Sequence, residues 1–147
     1  MYVFLPSTIP ALADVLDAGR ADGTTAFAAD PGPGGDTEEA EYDAMYAAAE
    51  ASMALLAADP DAPRRRVVLA AEMPDHIIER RGGAGPNVVR VAVTEPVPYK
   101  KLASAHVDDE AAADDIAAGA AEDHELLWFA VQELRHLVAD GDASSTS

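Results

Sequence analysis

Two short motifs in the last third of the chain hold the residue types that could do chemistry. His106-Val107-Asp108-Asp109 closes an expected strand, and His124-Glu125-Leu126-Leu127-Trp128 opens an expected helix. Together they contain two of the four histidines and the only tryptophan, and eight acids lie from Asp108 to Glu125. Alternate side chains of a strand share a face, so His106 and Asp108 project together. A histidine and a carboxylate so placed can share a divalent metal, or act as a base and its orienting partner. With His124 as a further ligand or acid, and Asp109 or Glu125 as general base, the set describes a small metal-assisted hydrolase acting on a phosphoester or amide.

A plainer reading competes with it. His106 is then a partly buried histidine bonded to a neighbour, and Asp108 or Asp109 caps the following turn. His124 stacks on Trp128 one helical turn away, while Glu122, Asp123 and Glu125 complement the helix dipole. Position i+4 after His124 is Trp128, so there is no H-E-x-x-H pair, and the acids at 108–110 lack the glycine of an EF-hand loop. The glycine loop at 31–35 precedes a helix whose first turn carries Asp36, Glu38 and Glu39, which repel phosphate. The Gly82–Gly85 stretch leads into a strand instead. Ser7, Thr8 and Ser104 sit in no nucleophile motif.

Composition narrows the classes further. Without cysteine, disulfides and thiolate metal sites are excluded. A formal charge of −17 argues against broad contact with nucleic acid or an anionic membrane, and suits a basic protein partner. Arg64, Arg65 and Arg66 are clustered against that background, as an anion site, a contact for an acidic partner, or a solvated strand entrance. Arg outnumbers Lys eight to two, a bias that GC-rich coding produces. No apolar run reaches the roughly 18–20 residues needed to cross a bilayer. Tyr2–Leu5 has no basic segment before it and reads as a strand rather than a signal peptide, so a cytoplasmic protein is expected.

The elements that must position these residues follow from local signals. Tyr2–Leu5 is apolar throughout, as in a strand buried on both faces. Thr8 caps a helix with Pro10 in its first turn, Ile9, Leu12 and Leu16 on one face, and Gly19 at its end. Thr24–Ala28 is a second strand. Asp36 and Glu39 fit a capping box for a helix to about Asp59, its apolar face traced by Tyr42, Met45, Tyr46, Ala49, Met53 and Leu56. Strands are expected at Arg66–Ala71, at Met73–Glu79 as a short edge, at Asn87–Thr94 and at about Ala103–Asp108, with a turn at Gly82–Pro86. The spacer from Asp109 to Ala121 is weakly helical and broken near Gly119. Leu127, Val131, Leu134 and Val138 stripe a last helix from about Asp123 to Asp140.

The result is one α+β domain over residues 1–140 with a disordered polar tail at 141–147. Its order βαβαββββα predicts a mixed sheet of about four to six strands packed with three main helices. The early βαβ units predict some parallel pairing.

The combination of Val3–Thr8, Gly35–Tyr42, Arg65–Val68, His106–Asp109 and His124–Trp128 resembles a family of short, acidic, Ala-rich actinobacterial proteins, a domain of unknown function. The resemblance spans nearly all of the chain except the spacer and tail. It implies an actinobacterial cytoplasmic protein and no particular activity, cofactor or partner.

The leading expectation is a non-enzymatic cytoplasmic interaction or regulatory domain. Its acidic surface would bind a basic protein partner without a cofactor, with Arg64, Arg65, Arg66 and Trp128 as binding residues. The metal-assisted hydrolase is the alternative, with a divalent metal on His106, Asp108 and His124. A third reading is a homodimer through the exposed side of the Trp128 helix.

Overall fold

The computed structural model describes residues 1–22, 25–121 and 124–139. Thr24, Glu122, Asp123 and Asp140, with the tail at 141–147, lie outside the described residues. In chain order the elements are β1 (Tyr2–Ser7), α1 (Ile9–Ala18), β2 (Arg20–Ala21), β3 (Thr25–Ala29) and α2 (Thr37–Ala58). Then come β4 (Val67–Glu72), β5 (Ile78–Gly83), β6 (Val88–Val93), β7 (Val97–Pro98), β8 (Leu102–Val107), α3 (Ala113–Ala117) and β9 (Leu127–Ala130). The stretch 134–139 is also helical.

Seven strands form one sheet in the order β5-β6-β3-β1-β4-β8-β9, and β2 and β7 form a small separate ribbon. Helices cover both faces. On one face α2 packs over Phe4, Phe27, Val68, Ala70 and Val88. On the other, α1 and the 134–139 helix bury Ile9, Leu12, Leu134 and Leu137 against Val3, Leu5, Leu69 and Val91. The central strands β1 and β4 are therefore buried on both sides, which explains their unbroken apolar runs.

Local signals hold where the chain is local. Thr8 Oγ1 accepts from the Ala11 N–H at the start of α1. Gly19 ends that helix in the left-handed region at φ 76°, its N–H donating to the Val15 carbonyl at 2.8 Å. Asp36 caps α2 by accepting from the N–H groups of Glu38 and Glu39.

Four expectations need correction. First, every strand pairing among the described residues is antiparallel. Strands β3 and β4 do run the same way, but β1 lies between them, antiparallel to both. The β3-α2-β4 crossover is thus split, and its ends never meet. Second, the edge strand is β5 at Ile78–Gly83, not Met73–Glu79. Pro74 introduces a 3-10 turn at Asp75–Ile77, and Gly82 and Gly83 belong to the strand.

Third, within the helix expected from about Asp123 to Asp140, residues Leu127–Ala130 form a strand. Leu127–Ala130 pairs with β8, setting Trp128 opposite His106 and Phe129 opposite Ala105. Bulky and aromatic side chains favour a pleated strand, and the pairing covers an edge that β8 would otherwise leave open. Helix resumes only at 134. Fourth, the face that α2 buries is rotated from the expected one: Met45, Ala49 and Leu56 are buried as expected, but Tyr42, Tyr46 and Met53 are not. Ala40, Ala44, Ala48, Ser52 and Leu56, spaced four apart, face the sheet with Met45 and Ala49, while Tyr42 is 53% exposed. Small residues let the helix lie close to the strands. In all, the sheet has seven strands and four α-helical segments are described, one of them the five-residue α3.

Candidate functional site

The structure sends the two sequence motifs to different tasks. Asp108 has no exposed surface, and its carboxylate grips Arg66, itself 5% exposed. The Arg66 backbone N–H donates to Asp108 Oδ2 at 2.8 Å, Nε donates to the same oxygen at 2.9 Å, and a terminal nitrogen donates to Oδ1 at 2.9 Å. The Asp108 N–H returns a bond to the Arg66 carbonyl at 3.1 Å, so the pair prolongs the β4–β8 ladder by one rung. Arg66 also donates to the carbonyls of His124 at 3.0 Å and Ala121 at 3.4 Å, which fixes the approach to β9.

The other two arginines of the triplet are used internally as well. Arg65 Nε donates to the Asp108 carbonyl at 2.9 Å. Arg64 donates to the carbonyls of Leu56, Asp59 and Ala62, which ties down the end of α2 and the turn that follows it. None of the three makes a solvated strand entrance.

The expected metal ligands are likewise divided. Asp109 caps the next turn by accepting from the Ala111 N–H at 3.1 Å. His124 Nε2 pairs with Asp115 Oδ2 at 2.7 Å, and Glu125 is exposed. His106 lies on the α2 side of the sheet, its ring tilted against Phe4 at a centroid distance of 6.4 Å. Among the described residues, no group of three His, Asp or Glu side chains is placed to hold a metal ion.

A different site forms around His106 and Trp128. The sheet is seven strands wide, or roughly 29 Å at about 4.8 Å per strand, whereas a helix is about 10–12 Å across. Helix α2 packs on β1, β3, β4 and β6, leaving the same face of β8 and β9 beside it. The gap is a groove of about 260 Å³. Phe4, Ser104 and His106 form its floor, and Tyr2 adds an edge-on ring 5.3 Å from Phe4. Trp128 stands on one side, 61% exposed. From α2 on the other side come Tyr42, Met45 and Glu41, the sole carboxylate of the lining among the described residues.

Two polar groups on the floor have no partner among the described residues. Ser104 is only 3% exposed, yet its hydroxyl makes no hydrogen bond there. Because no fully occluded side-chain oxygen or nitrogen is left unbonded, that hydroxyl must open into the groove. The ring nitrogens of His106 also make no such bond, and burial lowers its pKa, holding the imidazole neutral at pH 7. Neutral imidazole keeps one acceptor nitrogen. Next to Tyr42 stands Tyr46, its ring tilted by 45° at a centroid distance of 4.8 Å, which accepts from the Leu126 N–H at 3.4 Å. Burial is the main cause of the raised Tyr46 pKa.

Of this site, sequence reasoning finds His106 and Trp128. It misses Tyr2, Phe4, Glu41, Tyr42, Met45 and Ser104. The available signal is the every-fourth row of small residues in α2, which frees Tyr42 from the buried face.

Among the described residues, no helix is long and apolar enough to cross a membrane. As its motifs indicate, the chain matches a family model over residues 1–138, described as a family of unknown function (DUF6912). No curated protein and no solved structure matches it.

Proposed function

The chain belongs to this family of unknown function, DUF6912, and we propose that it is a non-enzymatic cytoplasmic interaction domain whose groove holds a basic segment of a partner protein. The observation that carries this reading is an uncovered groove walled by Trp128 and Tyr42, with Glu41 its one acidic side chain among the described residues. Aromatic faces and a carboxylate attract cations. The remaining charge of the chain, −17 overall, steers a basic segment toward the surface and repels an acidic one. The Arg64–Arg66 triplet takes no part, since its guanidiniums are spent on carbonyls and on Asp108.

The chain carries one tryptophan, so its fluorescence reports on the groove directly. Titration of the full chain with short peptides, one basic and one acidic, tests the reading. Saturable change with the basic peptide alone, weakening as salt rises, is expected. No change with the basic peptide at low salt, or an equal response to the acidic one, removes the proposal.

A further inference from the structure

We infer that the groove reads an arginine side chain, its guanidinium stacked between Trp128 and Tyr42 and hydrogen-bonded to Glu41, Ser104 and His106. This rests on the reading of the groove as a site for basic segments and narrows it to one residue type.

The lining chooses among ligand chemistries. No lysine or arginine borders the groove, so an anion would meet Glu41 with nothing to balance its charge. A purely apolar group would fill the space between the rings but seal the Ser104 hydroxyl away from water, leaving it buried and unbonded. A metal ion would find one carboxylate and one imidazole, short of a coordination shell. An organic cation with several donors fits each part.

Arginine fits better than lysine for geometric reasons. Trp128 and Tyr42 are flat and both more than half exposed, and a planar guanidinium can stack on such faces. Ser104 and His106 stand two positions apart on β8, about 6.6 Å along the strand. The acceptors therefore lie in separate directions, with Glu41 across the groove on α2. Five N–H groups fanned in a plane can reach acceptors so spread, whereas an ammonium offers three donors from one point and gives up more hydration to enter. His106 must be neutral to accept, and its burial keeps it so.

Titration of the full chain with three peptides differing at one position tests the inference, with arginine, lysine or citrulline there. Trp128 fluorescence and calorimetry both serve as readouts. Binding of the arginine peptide at least about tenfold tighter than the lysine one, and tighter still than the uncharged citrulline, supports it. Equal affinity for arginine and lysine overturns the arginine reading while leaving a basic-segment site in place. Equal affinity for citrulline overturns both.

Ser104→Ala is the decisive variant, because the hydroxyl makes no hydrogen bond among the described residues. Its unfolding midpoint should match the wild type, while affinity for the arginine peptide falls roughly 2–10-fold. Unchanged affinity in Ser104→Ala, or a concentration-dependent dimer that buries Trp128 and blocks the peptide, refutes the arrangement.

Discussion

Asp108→Ala gives the sharpest test of the structural argument, since it separates a strut from a reactive group. Removing the carboxylate strands the Arg66 guanidinium at 5% exposure and orphans the Arg66 backbone N–H. Breaking one partner from a buried ion pair costs about 3–5 kcal/mol. An orphaned buried donor adds about 1–3 kcal/mol, part of it the same loss counted twice. Against the roughly 5–15 kcal/mol that stabilises a domain, a loss of about 4 kcal/mol is severe, lowering Tm by roughly 10 °C. Urea unfolding followed by circular dichroism and Trp128 emission measures it. The double variant Arg66→Met, Asp108→Ala should recover at least half of the loss, because no charge is left stranded. Its unbonded carbonyls at Ala121 and His124 are only half-buried and can hydrate. A single-variant loss below about 1 kcal/mol, or a double loss equal to the sum of the singles, refutes the reasoning. Zinc or manganese stabilising the wild type but not Asp108→Ala would instead make Asp108 a metal ligand.

Two further outcomes follow from buried polar contacts. Ser52 has no exposed surface, donates to the Ser7 carbonyl at 2.7 Å and accepts from the Val67 N–H at 3.1 Å, bridging the ends of β1 and β4. Ser52→Ala should cost about 1–3 kcal/mol in urea unfolding, and a change within about 0.3 kcal/mol would show that these groups find other partners. His106 titrates with a lowered pKa because of burial, with Glu41 the charged group that shares its groove. The unfolded chain therefore takes up the proton first as pH falls below about 6.5, and stability drops by at most about 1.4 kcal/mol per pH unit from this group. The stability difference between wild type and His106→Leu should shift in that direction between pH 7 and 5, and a pH-independent difference contradicts it.

Legibility in the sequence depended on the range of the interaction. Thr8, Gly19 and Asp36 act within four residues, and their roles read directly from spacing. The paired runs of β1 and β4 read as buried strands because no polar residue interrupts them. Strand β9 did not, since Leu127, Val131, Leu134 and Val138 fit helical spacing equally well. What decides the matter is the open edge of β8, which no local pattern reports. The antiparallel sheet was hidden for a similar reason: β1 enters between two strands that a βαβ reading would make neighbours. The ion pair of Arg66 and Asp108 spans 42 positions, so the arginine triplet looked like surface. In α2 the signal was present but weak, because alanine contrasts little with the larger apolar residues beside it.

The rotated buried face of α2 bears on function. Burying Tyr42 in place of an alanine of α2 would remove more apolar surface from water, at about 25 cal/mol per Å². The fold instead packs small residues beneath the helix and sets its large rings around a groove. Aromatics are 5% of the chain, yet its one tryptophan and two of its four tyrosines border this groove. Beneath them lies the Ser104 hydroxyl, with no partner among the described residues. Packing alone would close such a gap with a larger apolar side chain in place of Ser104. A groove kept open, with polar groups on its floor and aromatic rings at its walls, is the arrangement that the proposed binding of a cation would use.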